Sequence, residues 1–379
     1  MAKKILIIPD SFKDSISSSQ FCDIAKNVLT KINPNIIVHT IPIGDGGEGS
    51  LNSFRIMKDY TFKTLTVKDP LNKNIKAKYC INKLEKIGII ELAQASGIQL
   101  VPENLRNPLN TTSYGVGQLI DKAISEGMKK IIMFIGGSAT NDAGIGMLDA
   151  LGYTFKDKNY NKLIANVKNL KKIEKIEKSS FHNTIKKIEF TVACDVSNPL
   201  FGKNGATYIF GEQKGATDKT LKFLEESIIH FSKVVAKNIS KNYSKHNGAG
   251  AAGGVGFTAL SFFNAKFVEG FSLLSQILKI EKKIELEKYD YIITGEGCID
   301  KQTKHGKLLK KLGYLGQCYS IPVIAFAGNI KGELSNLNLP GISNAYQITP
   351  HNTELKLAIK NTSTNLSKSL NEQMNKLLN

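Results

Sequence analysis

Carboxylates, hydroxyls and glycines recur in this chain at short intervals, each time just after an apolar run. In residues 289–307 the run Tyr291-Ile292-Ile293 stops at Thr294, and Gly295, Glu296, Gly297 and Asp300 follow. Two glycines at a strand exit allow a sharp turn and a close approach of backbone to ligand. The two carboxylates beside them supply acceptors for a hydroxyl, a proton or Mg²⁺. Gln302, Thr303 and Lys307 add neutral hydrogen-bonding groups and one cation at the start of an expected helix. A solvated acidic loop would read the same way in isolation, but the pattern repeats. It returns at Asp10-Ser11-Phe12-Lys13, at Gly44-Asp45-Gly46-Gly47-Glu48-Gly49, and at residues 91–97, 136–142 and 195–199.

The absences narrow the chemistry. The chain contains neither G-x-x-x-x-G-K-[ST] nor a G-x-S-x-G elbow, and its six histidines are scattered. A site rich in Asp, Gly and Lys but poor in His and Cys suits phosphoryl transfer. There the protein mainly positions reactants, holds Mg²⁺ and neutralises phosphate charge.

Those residues must be positioned by elements, and the pattern predicts them. Residues 4–8 (KILII) read as a strand, Ser17 to Ser19 as N-cap hydroxyls of a helix carrying Phe21, Ile24, Ala25 and Val28, and 36–43 as the next strand. This β-α-β unit predicts a parallel sheet with ligands at the C-terminal strand ends. Residues 61–82 read as a polar hairpin turning at Asp69-Pro70-Leu71-Asn72. Strands follow at 86–92, 130–135, 188–194 and 322–327, and helices at about 116–126, 145–151, 219–238, 273–286 and 354–378. The Lys- and Asn-rich residues 152–186 read as surface decoration. Arg106 stands out because Arg55 is the only other arginine, and an arginine fork suits a carboxylate or phosphate. A loop-stapling ion pair is the alternative for it. Gly136-Gly137-Ser138-Ala139-Thr140-Asn141-Asp142 before a helix reads as an anion site as well as a cap.

Length and composition set the outer bounds. A chain of 379 residues, 41% apolar and 22% charged, reads as an ordinary soluble protein of two domains. The longest apolar run is too short for a membrane span, and the first one, ending at Pro9-Asp10, too short for a secretory signal. Five scattered cysteines without a CxxC pair argue against a disulfide framework and a zinc site. A cytoplasmic location is expected. The net charge of +18 is almost all lysine, without the arginine forks that nucleic-acid readers favour, so attraction to anionic metabolites is expected and nucleic acid is not.

Two stretches match G-x-G-x-x-G formally. In the first, Asp45 and Glu48 lie inside the loop, where they would repel a pyrophosphate unless a metal intervened. A hydroxylated substrate or a metal-bound phosphate suits that loop better. The second, residues 248–256 (GAGAAGGVG), follows no apolar strand and reads as a glycine-rich turn or close helix contact near a nucleotide.

Taken together, the motifs resemble the bacterial glycerate kinases. PDSFKDSIS (9–17), GDGGEGS (44–50), ELAQASG (91–97), RNPLNTTSYGVGQLI (106–120) and IGGSATNDAGIGMLDALG (135–152) stand in that family's order. So do ACDVSNPLFGKNGATYIFGEQKGAT (193–217), GAGAAGGVG (248–256) and TGEGCIDKQTKHGK (294–307). The departures are Cys298 where the family usually has Arg, Ala143 for a usual Gly, and Glu212 for a usual Pro.

The resemblance implies ATP-dependent phosphorylation of D-glycerate to 2- or 3-phosphoglycerate, with Mg²⁺. It implies a two-domain α/β fold: a Rossmann-like parallel-sheet domain from residues 1–64 and 287–379, an inserted α/β domain at 65–286, and an active site in the cleft. Asp195 and Asp300 are then the candidates for general base or metal ligand, with Glu48, Glu296 and Asp45 as alternates. Lys13, Lys214 and Lys307 would neutralise phosphate charge. Asp10, Ser11, Asp45, Gly46, Gly47, Arg106, Ser138, Thr140 and Asn141 would bind substrate. Gly250, Gly253, Gly254, Gly295 and Gly297 would approach the nucleotide. The expected assembly is a monomer or homodimer. The competing readings are an NAD(P)-dependent hydroxy-acid oxidoreductase and a non-catalytic sugar-acid-binding regulator.

Overall fold

Short apolar runs alternating with amphipathic helices build two large sheets and one small one among the described residues. A computed structural model describes it apart from residues 1, 13, 45–46, 179–180, 301–306, 333–338 and 379; of Lys307 only the backbone is described. The strands are β1 (Lys4–Ile7), β2 (Ile37–Thr40), β3 (Thr61–Lys68), β4 (Asn74–Asn82), β5 (Ile87–Glu91), β6 (Lys130–Phe134) and β7 (Thr154–Lys156). They continue as β8 (Lys162–Leu163), β9 (Lys175–Glu177), β10 (Glu189–Ala193), β11 (Lys266–Val268), β12 (Tyr291–Ile299), β13 (Val323–Ile330) and β14 (Ile342–Gln347). The chain divides into two compact units: Met1–Asp45, Asn52–Ile56 and Phe271–Asn379 form the first, Gly46–Leu51 and Met57–Gly270 the second.

The first unit carries a parallel sheet in the order β14-β13-β12-β1-β2. Its first helix, Ser18–Ile32, starts where the hydroxyls predicted. Ser17 accepts from the Gln20 N–H while the Gln20 side chain accepts from Ser17 N–H, a reciprocal capping box. The helix buries Phe21, Ala25 and Leu29 against Ile5, Ile7, Ile293 and Phe326, and Leu366, Leu370 and Met374 of the helix Leu355–Leu378 join the same core. Connections leave β1 toward β2 and leave β12 toward β13 and β14. The reversal therefore falls between β1 and β12, where ligands of such sheets bind beyond the carboxyl ends.

The second unit holds six strands in the order β11-β10-β6-β5-β4-β3. β5, β6, β10 and β11 are parallel, and β3–β4 is the antiparallel hairpin expected at 61–82. One rung, Glu91–Phe134–Ala193–Val268, runs across the four parallel strands near their C-terminal ends. The exit loops at 91–97, 136–142 and 195 therefore start side by side.

Several expectations need correction. The strand beginning at Tyr291 does not stop at Thr294: it pairs with β13 through Ile299↔Ile330. Gly295 is a packing requirement there and not a turn, because a Cβ would meet Phe21 Cε2 at 2.5 Å and the Phe326 carbonyl oxygen at 2.7 Å. Residues 152–186 are not mere decoration. They form the small sheet β8-β7-β9, and Phe155, Val167, Leu170, Ile173, Ile176 and Ile185 enter the core of the second unit. Lysine and asparagine are frequent there, but most of the apolar residues face the core, Tyr160 and Ile164 being exposed. The strand expected at 36–43 contracts to β2, and the helix expected at 273–286 is two helices broken at Lys279, whose φ is +54°.

Candidate functional site

In the first unit the β1 exit meets β12. The Asp10 N–H donates to the Gly295 carbonyl at 2.9 Å, and the Ser11 N–H donates to Asp10 Oδ1 at 2.6 Å. Glu296 and Asp300 lie farther along the same strand and exit, both partly exposed. Cys298 sits between them. Burial pushes its thiol up, and the Asp300 and Glu296 carboxylates push it the same way against Lys331. Gly297 lies against Gly328, where a Cβ would meet the Gly297 oxygen at 2.5 Å. Lys13, Asp45 and Gly46 lie outside the described residues, as does the Lys307 side chain; the Lys307 backbone opens the helix Lys307–Tyr319.

The second unit gathers more of the expected residues. Lys214 is buried, and its ammonium donates to Ser138 Oγ at 2.9 Å and to the Thr140 carbonyl at 2.7 Å. Burial pulls its pKa down to about 7, with the charge of Asp142 opposing. Asn141 Nδ2 donates to Thr207 Oγ1 at 3.2 Å. Thr140 Oγ1, Asn141 Oδ1 and Arg106 Nε are buried without a hydrogen-bond partner. Arg106 belongs to this cluster through its backbone: a Cβ on Gly215, next to Lys214, would stand 2.0 Å from the Arg106 carbonyl oxygen. Buried orphan donors and acceptors around a buried cation are what a small polar anion would satisfy.

Glu48 approaches the same loop, since a Cβ on Gly137 would lie 3.7 Å from its Cβ. Gly47 accepts the Ser50 N–H through its carbonyl. Asp195, exposed at the β10 exit, accepts the Gly270 N–H at 2.9 Å. Two buried carboxylates were not singled out from the residues. Asp142 accepts from Ser113 N and Oγ and from the Gly144 and Gly146 N–H groups, so it pins the loop before the helix Ile145–Ala150. Glu91 accepts from Gly49 N, Leu51 N and Gln94 Nε2. A glutamate closing an otherwise apolar run was the available signal for it.

Comparison with known proteins now decides the family. Residues 5–378 match the glycerate kinase family. The chain belongs to that family. A glycerate kinase of Halalkalibacterium halodurans is 37% identical over 94% of this chain and 93% of its own length. A glycerate 2-kinase of Escherichia coli K12 is 36% identical over 91% and 90%. The crystal structure of a candidate glycerate kinase 2 from Salmonella typhimurium LT2 superposes with a TM-score of 0.83 at 33% identity, covering 100% of this chain and 98% of that one. The α/β class with parallel-sheet domains is that of this glycerate kinase neighbour.

Within this glycerate kinase family member the two formal dinucleotide motifs lack the dinucleotide geometry. Residues 47–49 lead into a 3₁₀ helix, Ser50–Ile56, and among the described residues of that stretch there is no α-helix N-terminus to cradle a pyrophosphate. The glycines at 250, 253 and 254 serve close packing. A Cβ on Gly250 would meet the Pro199 oxygen at 2.3 Å, and one on Gly253 the Thr140 oxygen at 2.0 Å. Gly254 faces Ala143 Cα at 2.8 Å in the same sense. Ala252, Gly253 and Gly254 form a left-handed turn that presses on the 140–143 loop, and the Ala143 N–H donates to the Gly253 carbonyl at 2.9 Å.

Proposed function

We propose that this chain transfers the γ-phosphate of ATP to a hydroxyl of D-glycerate, giving a phosphoglycerate. Family membership and the names of the relatives support the reaction, and one structural observation carries the site: the buried Lys214 ammonium on Ser138 Oγ and the Thr140 carbonyl, in a loop whose Thr140 Oγ1 and Asn141 Oδ1 are orphaned, with the backbone of Arg106, whose Nε is also orphaned, packed on the neighbouring Gly215. Lys214 has three donors and uses two on the protein, leaving one for a ligand oxygen. With Arg106 it would hold the glycerate carboxylate, and Thr140 and Asn141 would pair with glycerate hydroxyls. Asp195 or Asp300 would accept the proton of the attacking hydroxyl. Asp10, Ser11, Asp45, Gly46 and Gly47 would line the acceptor side, and Lys13 and Lys307 would offset phosphate charge.

Magnesium suits the residues present. Mg²⁺ in kinases is held by one or two carboxylates plus phosphate oxygens, and Glu296 and Asp300 offer such a pair, with Glu48 as the alternate. When bound, the ion would neutralise charge building on the transferred phosphoryl group.

The name of the E. coli relative, a glycerate 2-kinase, supports the 2-hydroxyl as acceptor. Among the described residues no helix is long and apolar enough to cross a membrane; a cytoplasmic monomer or homodimer remains our reading. Phosphorus NMR of the protein with ATP, Mg²⁺ and D-glycerate tests the function: ADP and 2-phosphoglycerate are expected. The 3-isomer would overturn the regiochemistry, and no glycerate-dependent ADP would overturn the function.

A further inference from the structure

We propose that Glu91 is the positioning residue of the acidic glycine loop, holding residues 47–51 in the shape that presents Gly47 to the acceptor substrate. The part concerning substrate rests on the function proposed above; the clamp itself does not. Glu91 ends β5 on the rung paired with Phe134, and the Leu92 N–H donates to the Phe134 carbonyl at 2.8 Å, so the carboxylate stands on a central strand. Its side chain is fully buried. Oε1 accepts from the Gly49 N–H at 3.1 Å and from Gln94 Nε2 at 3.1 Å, and Oε2 accepts from the Leu51 N–H at 2.8 Å. Gly49, at φ +87°, is where the loop reverses. Two backbone donors two residues apart, on either side of Ser50, are therefore fixed by one carboxyl group, whose pKa burial pushes up against the pull of the three N–H donors.

Only a carboxylate satisfies that arrangement. A glutamine at 91 has the same shape, but one of its two ends is an NH₂, which would face at least one N–H donor. The loop must then shift or leave a buried donor unpaired. The geometry also separates Glu91 from the chemistry. Its oxygens point to the loop and to Gln94, so it acts through the loop and does not touch the reacting atoms. A site held from a rigid strand is positioned more accurately than one supported by loops alone.

Amide hydrogen exchange on the wild-type chain is the first test. The Gly49 and Leu51 amides lie outside any strand ladder, yet the clamp requires exchange slowed by about 100-fold or more relative to open chain. Exchange at the open-chain rate would overturn the proposal without any variant. In Glu91→Gln, deuterium uptake over residues 47–51 is expected to rise while the β6 and β10 amides stay protected. The KM for D-glycerate is expected to rise about tenfold, with the KM for ATP within about twofold. Unchanged uptake, or a KM for ATP that moves while that for glycerate does not, would refute the assignment. Gln94→Ala removes one donor from Oε1 and leaves Glu91 in place; a smaller change in the same two readouts is expected, and none would count against the clamp. If the wild-type chain shows no glycerate-dependent turnover, the function fails while the exchange measurements still decide the clamp.

Discussion

Lys214 shows how one side chain can make binding depend on pH. Its folded pKa, lowered to about 7 by burial, leaves it largely neutral above that value. An anion bound beside it favours the ammonium, so binding above pH 7 requires proton uptake. The KM for glycerate is therefore expected to rise with pH above about 7, approaching tenfold per unit in the limit. Lys214→Met should bind weakly with that slope gone. A flat wild-type KM from about pH 6 to 9 would refute the carboxylate contact. Asp195 and Asp300 divide the remaining chemistry. Replacing each by Asn separately is expected to lower kcat by about 10²- to 10⁴-fold for whichever is the base. Turnover and Mg²⁺ dependence near wild type in both variants would exclude both. Residue types were readable here because carboxylates, lysines and glycines recur at strand ends. The partners of Lys214 were not, since Ser138 and Thr140 lie 76 and 74 positions away.

Elements show the same division. The left-handed turn at Ala252, Gly253 and Gly254 supports the 140–143 loop, so the glycine run acts by shape. Gly253→Ala would place a Cβ 2.0 Å from the Thr140 oxygen at a φ of +63°. A loss of about 2 kcal/mol or more is expected, read as a lower denaturant midpoint, together with reduced turnover. Gly127→Ala is the control. Its φ is +91° but nothing lies within 4 Å of the new Cβ, so only the backbone cost of about 1–2 kcal/mol applies. Periodicity located the helix at Ser18–Ile32, its Ser17 cap and the hairpin β3–β4, because local spacing and caps decide those. It misjudged the length of β12, since a glycine-rich strand looks like a turn until Phe21 and β13 close on it. It also passed over β7–β9, where the apolar residues are scattered among lysines and asparagines.

At the scale of the whole molecule, the two units are built from the chain in different ways. The large core of the second unit draws every member from residues between Val67 and Ala265. The sheet of the first pairs β1 with β12, bringing Ile7 beside Ile293. A fragment of residues 57–270 is thus expected to fold cooperatively, with near-ultraviolet circular dichroism lost in one thermal transition. Residues 1–56 or 271–379 alone should show none, because each holds only part of one sheet. A disordered 57–270 fragment would contradict this partition. By itself the sequence determined the family, the α/β class and the residue types available for phosphoryl transfer, because these rest on ordered motifs, apolar periodicity and side-chain chemistry. The tertiary structure decided which of those residues meet. Burial converts Lys214 into a titrating group, turns Glu91 from a strand-end acid into a loop clamp, and makes glycines into contact points. Each of these effects depends on atoms far apart in the chain, which no local pattern records.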